Sequence, residues 1–160
     1  MGAVTYPHPD VVEFVSEHFV AAKFNVKEPG PGFSEALGRG KFFWGPLFVF
    51  LDSRGIELRR YQGFLPPKEF LADLRLVLGM EALIHSKPEK ALEWFTSVTD
   101  LYPGTDAVPE ALYWAGSAAY KASDSLKPLI EIWDRLTAEH PESTWAKRAD
   151  VIPDDLRTGS

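Results

Sequence analysis

Apolar positions follow two different patterns along this chain. Up to about Leu78, short apolar runs are broken by turn residues. Past Gly79, apolar residues recur at helical spacing. The central feature of the first part is Leu47 to Leu51, a continuous apolar run closed by Asp52-Ser53-Arg54-Gly55. A run this short, bounded by turn chemistry, predicts a strand buried on both faces. Pro46 cannot donate to a ladder, which places it at the strand's entry, with a cis bond open to it. Ile56 to Tyr61 alternates and predicts the second arm of a hairpin.

Around this hairpin the pattern predicts further elements. Tyr6-Pro7-His8-Pro9-Asp10 is turn-like and leads into a helix with Val11, Val12, Val15 and Phe19 on one face. Val20 to Val26 reads as a strand, Lys27 to Gly32 as a loop, and Phe33 to Leu37 as a short helix ended by Gly38 and Gly40. Pro66-Pro67 opens a helix striped by Phe70, Leu71, Leu74 and Leu78. Helix, strand, short helix, strand, strand, helix is an α/β order on a mixed sheet.

Only helices follow. One begins at Lys87-Pro88-Glu89, carries Ala91, Phe95 and Val98, and stops at Tyr102-Pro103-Gly104. The next has Pro109-Glu110 in its first turn and Leu112, Ala115, Ala119 and Tyr120 inward. Ser125 to Glu139 carries Leu129, Ile132, Trp133 and Leu136, and His140-Pro141 ends it. Ser143 can cap a last short helix reaching about Val151.

Residues 92–111 lie over 130–149 at a period of 38: Leu92 on Ile130, Phe95 on Trp133, Thr99 on Thr137, Pro103 on Pro141. Repeats of this length built from helix pairs predict a stacked solenoid. The residues resemble the tetratricopeptide family. Leu78-Gly79, Ala82, Ala91, Phe95, Val98 and Pro103 fall on its signature, and Ala115-Gly116, Ala119, Leu129, Trp133, Leu136 and Pro141 do so again with about one inserted residue. Leu129 and Trp133 depart from the family's Ala and Phe. Gly79 then lies inside a helix, at a cost of about 1 kcal/mol relative to Ala, and the resemblance implies that a neighbouring helix approaches closely there. The helix from Pro66-Pro67 would run on to about His85, serving both halves.

The first half resembles a thioredoxin-fold domain. The residues that carry this are Gly45-Pro46 before the apolar strand, the turn at Asp52 to Gly55, the strand to Tyr61, Gly63, and the helix after Phe64-Leu65-Pro66-Pro67. The resemblance implies a cis Pro46 and a backbone at Gly45 that meets an extended substrate. Gly45 departs from the family's Thr, Val or Ile. The family's leading strand and Cys-x-x-Cys have no counterpart here, so the expected sheet is incomplete. The expectation is an α/β plus all-α chain: a truncated thioredoxin-like sheet unit over 1–78, then tetratricopeptide-like antiparallel helix hairpins over 68–152 sharing the 66–85 helix, and a tail at 153–160.

Composition narrows the chemistry. The chain has no cysteine, which excludes disulfides, thiolate metal sites and dithiol exchange by its own residues. The net charge is −6, and the acidic excess falls wholly in residues 81–160. An acidic half with no basic stripe argues against nucleic-acid binding. No apolar run is long enough for a membrane span and no signal peptide is visible, so a cytoplasmic setting is expected. His8, His18, His85 and His140 show no metal-ligand spacing, and no metal or cofactor is expected. Gly38-Arg39-Gly40-Lys41 lacks the strand and spacing of a phosphate cradle. Glu28, Glu35 and Asp52 could meet as acids, but Asp52 reads as an ordinary turn residue.

The remaining candidates are aromatic. Phe42-Phe43-Trp44 precede Pro46, and Trp94 and Tyr113 sit beside core positions of the repeats. Trp44, Gly45, Pro46, Trp94 and Tyr113 are therefore the expected contacts for a protein or peptide partner. The expected function is a non-catalytic binding module, an adaptor or chaperone, completed by dimerisation or a partner strand at an open sheet edge. The alternatives are a remnant of a thiol–disulfide oxidoreductase whose dithiol lies upstream, and a structural subunit completed by another chain.

Overall fold

The structure, a computed structural model, describes residues 5–28, 30–34 and 44–157. The expectations for Glu35 to Leu37, for Gly38-Arg39-Gly40-Lys41, for Phe42-Phe43 and for Thr158-Gly159-Ser160 lie outside the described residues. The architecture is mixed, with helices and one small antiparallel sheet. The chain divides into two compact units, Met1–Leu71 and Ala72–Ser160.

In the first unit, α1 spans Pro9–His18 with proline in its first turn, where a missing N–H costs nothing. Its buried face is Val11 and Phe14, while Val12 is half exposed. The expected stripe therefore turns by one position. Phe14 stands at i+3 from Val11 and anchors the helix, its ring 4.6 Å from His18 and 6.5 Å from Phe19.

Strand β1 (Leu47–Leu51) pairs antiparallel with β2 (Glu57–Gln62), setting Phe48 opposite Tyr61 and Phe50 opposite Arg59. A bulge follows Phe50, where Leu51 faces Glu57. The connecting turn is organised by Asp52, whose carboxylate accepts from the Arg54 N–H at 2.9 Å and the Ile56 N–H at 2.8 Å. Gly55 takes φ +79, a conformation that only glycine adopts freely. The Gly45–Pro46 peptide is cis, the form that the resemblance implies.

One face of β1 carries an aromatic cluster. Phe48 stacks on Tyr61 at 4.8 Å and meets Phe70 at 5.4 Å and Tyr6 at 6.1 Å. Phe50 meets Phe19 at 6.0 Å. The Thr5 hydroxyl is buried and donates to the Leu65 carbonyl at 2.8 Å. The strand is half-buried, with Leu51 exposed, rather than buried on both faces. Among the described residues the sheet has two strands, which leaves one edge of β1 uncovered.

Val20 to Val26 is not a strand. Residues 20–25 are irregular, and Val20 is fully exposed. A strand exists only where a neighbour accepts its hydrogen bonds, and none of the described residues does so. Asn25 instead makes a local turn, its side-chain oxygen accepting from the Lys27 N–H at 3.1 Å. Phe24 packs edge-on against Phe33 at 6.0 Å.

Helix α2 (Pro67–Ile84) continues unbroken through Gly79, and the division between the units falls inside it. In the second unit it is followed by α3 (Pro88–Leu101), α4 (Val108–Ser123), α5 (Leu126–Glu139), α6 (Thr144–Ala149) and α7 (Asp154–Arg157). Helix α3 packs on α4, α4 on α5, and α6 closes on both α4 and α5. A single core runs through the unit from Leu76 and Phe95 to Leu112, Trp133 and Leu136. Tyr120, expected inward, is 39% exposed.

Local chemistry sets the helix ends. Ser86 and Asp124, 38 positions apart, both take left-handed backbone (φ 55 and 52), in the α2–α3 and α4–α5 connections, each shortly before the next helix begins. The Ser125 hydroxyl accepts from the Lys127 N–H at 3.3 Å, and the Ser143 hydroxyl accepts from the Ala146 N–H at 3.0 Å. Each satisfies an N–H that a bare helix start would leave without a partner.

Two glycines receive aromatic rings. A Cβ on Gly79 would lie 2.3 Å from Phe95 Cε1, and a Cβ on Gly116 would lie 2.5 Å from the Trp133 ring. Any side chain at either position would collide with the ring that fills it.

Candidate functional site

The expected contact residues lie at two separate places, one in each unit. In the first unit, Trp44 is 74% exposed and Gly45 is exposed beside it. Pro46 is half-buried, and its carbonyl accepts from the Gly63 N–H at 2.9 Å. Gly63 reaches that position with φ +112, left-handed backbone that favours glycine. An exposed indole thus stands at the mouth of an apolar strand, on a backbone held from behind by β2. Asp52 closes the strand's other end. Burial raises its carboxyl's pKa, but hydrogen bonds from Ile56, the Arg54 backbone and the Arg54 guanidinium outweigh this and hold it below the ordinary value. These bonds engage it as a turn residue.

In the second unit, Trp94 and Tyr113 have different surroundings. Trp94 is half-buried on α3 and flanked by cations, with the Arg75 guanidinium 5.7 Å and the Lys90 ammonium 5.3 Å from its ring centre. Arg75 also lies 5.6 Å from Tyr102 and donates to the Ser97 hydroxyl at 3.2 Å. Cations over an indole face are attracted by its quadrupole, and Lys90 is at the same time ion-paired with Glu93 at 2.8 Å.

Tyr113 instead stacks on Trp133 at 5.0 Å and meets Trp114 and Trp145 at 5.2 Å each. The Trp133 indole N–H donates to the Tyr113 carbonyl at 2.9 Å. Tyr113 is therefore joined to the core of its unit from three sides. Trp114 has a buried indole N–H with no hydrogen-bond partner among the described residues. The Arg148 guanidinium covers Trp145 at 4.6 Å.

The structure gathers groups that the sequence reading did not connect. Arg75 and Lys90 around Trp94 come from different helices, and Trp145 reaches Tyr113 from 32 positions away. Only the Lys90–Trp94 pair, at i and i+4 on one helix, could have been read from spacing. A shallow groove of about 500 Å³ lies near Trp145, lined by Thr105, Asp106, His140 and Ser143 among others. No group of His, Asp and Glu among the described residues is placed to hold a metal ion. No helix among them is long and apolar enough to cross a membrane.

The chain matches no family model, no curated protein and no solved structure.

Proposed function

We propose that this chain is a non-catalytic protein-binding module, an adaptor or chaperone-like protein. It joins a thioredoxin-like sheet unit to tetratricopeptide-like helix hairpins. The observation that carries the reading is the repeated glycine–aromatic fit, Phe95 on Gly79 and Trp133 on Gly116. Two fits of one kind, at nearly one period, support a repeat architecture in which each helix pair contacts only its neighbours. Such architectures present long side-chain surfaces to peptides. Trp94 between Arg75 and Lys90 is the anchor that this reading favours, because a half-buried indole rimmed by cations suits an acidic or aromatic peptide. With no cysteine in the chain, thiol exchange is outside the repertoire of its own residues.

The test is binding to an array of acidic and aromatic peptides, together with suppression of light scattering by a chemically unfolded client protein. Wild type is expected to bind or suppress, and Trp94→Ala to lose either effect while remaining folded at the assay temperature. Failure of wild type in both assays overturns the reading.

A further inference from the structure

We propose that β1 pairs with β1 of a second copy of this chain, antiparallel and centred on Val49, to form a four-stranded sheet across a two-fold axis. This names one partner for the open sheet edge in the reading above.

Residues of an antiparallel strand alternate between facing one neighbour and facing the other. The Pro46 carbonyl accepts from Gly63, and the Asp52 N–H donates to Ile56, so 46 and 52 face β2. Phe48 and Phe50, opposite Tyr61 and Arg59, lie in the same alternation and face β2 as well. Leu47, Val49 and Leu51 therefore turn their N–H and C=O groups to the other edge. Among the described residues, nothing pairs with that edge.

The two outer edges of this sheet differ in kind. Strand β2 carries Glu57, Arg59 and Arg60, and the Arg60 guanidinium is paired with Glu57 at 2.6 Å. Charge on an edge strand discourages pairing with another chain. Strand β1 carries no charge, no internal proline and no glycine, and the bulge in the ladder places its extra residue on β2. The outer edge of β1 is thus the one that lacks such a guard.

The sequence of β1 indicates what fits there. Leu47-Phe48-Val49-Phe50-Leu51 reads the same in both directions. An antiparallel copy centred on Val49 places Val49 against Val49, Leu47 against Leu51 and Phe48 against Phe50. Each of the free-edge residues 47, 49 and 51 then meets a residue that also offers one donor and one acceptor. Phe48 and Phe50 fall on the closer, non-hydrogen-bonded pairs, where aromatic side chains interact across strands. Their cluster with Tyr61 would continue from one copy into the next. A two-fold axis closes the assembly at two chains, because the edges left outside are the charged ones.

The absence of cysteine allows a clean test. At the axis, Cα atoms of a hydrogen-bonded pair stand about 5.5 Å apart, within disulfide reach. Val49→Cys is expected to form a covalent dimer under mild oxidation, at least tenfold faster than Leu47→Cys alone. A mixture of Leu47→Cys and Leu51→Cys should cross-link to each other. Sedimentation equilibrium of the wild type should show a monomer–dimer transition with rising concentration. A wild type that stays monomeric, or cross-linking equal at all three positions, overturns the pairing. Dimerisation with no peptide or client binding would leave this inference standing and remove the proposed function. Binding by a strict monomer would do the reverse.

Discussion

The ring of Phe95 occupies the space over Gly79, with its Cε1 2.3 Å from where a Cβ would be. Two opposing effects meet here. Alanine at Gly79 would gain about 1 kcal/mol of helix propensity, while forcing an extra carbon into a filled site costs about 1–3 kcal/mol. The overlap is deep and the ring belongs to a fully buried residue, so the steric cost wins.

Gly79→Ala and Gly116→Ala should each lower stability, toward the upper end of a net of about 0–2 kcal/mol, in denaturant unfolding. Gly104→Ala, whose Cβ would meet nothing within 4 Å, is the control and should change little. In a Phe95→Leu background the cost of Gly79→Ala should shrink, a coupling that a double-mutant cycle measures.

Tyr113 and Trp94 should separate under alanine substitution. Tyr113 stacks on Trp133 and touches two more indoles. Its loss removes aromatic pairs worth about 0.5–1.5 kcal/mol each in addition to buried area, and Tyr113→Ala should melt several degrees earlier. Trp94→Ala should cost less, since its half-buried ring loses contacts with two cations rather than with the aromatic core. Differential scanning calorimetry of the two variants decides between them.

Asp52 should make the hairpin sensitive to acid. Its folded pKa is held below the unfolded value, so the unfolded chain takes up the proton first. The stabilisation is complete above the unfolded value of about 3.9 and is lost as pH falls through the lower folded value. Asp52→Asn keeps an acceptor oxygen but loses the charge. Melting curves should show the variant less stable than wild type at pH 7, with the gap closing below about pH 4.

Removing the Ser143 hydroxyl should free the α6 terminus. Ser143→Ala leaves the Ala146 N–H without its 3.0 Å partner and should cost about 1 kcal/mol. Amide exchange at Ala146 should accelerate relative to the α4 interior.

Much of this arrangement was legible where the signal is local. The hairpin, the prolines that open and end helices, the Ser143 cap and the turn role of Asp52 all depend on residues within a few positions of one another. The close approach at Gly79 was legible only through the resemblance to the tetratricopeptide signature, since a glycine's cost in helix propensity does not by itself name a partner. Val20–Val26 misled because apolar content says nothing of whether a neighbour will accept the hydrogen bonds of a strand. The Tyr113, Trp114, Trp133 and Trp145 cluster was invisible because it joins three helices. Phe14 was passed over because the valines beside it offered an equally regular stripe, and only the tertiary contacts choose between faces 100° apart.

The left-handed residues at Ser86 and Asp124 keep a spacing of 38, while Gly79 and Gly116 are 37 apart. The extra residue in the second copy therefore falls between Gly116 and Asp124, at the end of α4, before the chain turns. One added residue would rotate everything after it by about 100° if the helix simply carried on. Here α4 runs on to Ser123, the connection after it is shorter than the one after α2, and the following helix still places its aromatic ring at the same distance beyond the left-handed residue, Phe95 after Ser86 and Trp133 after Asp124. An engineered insertion in this chain therefore belongs at the end of α4, where the second unit already carries its added residue, rather than within the helical turns that hold Gly116 and Trp133.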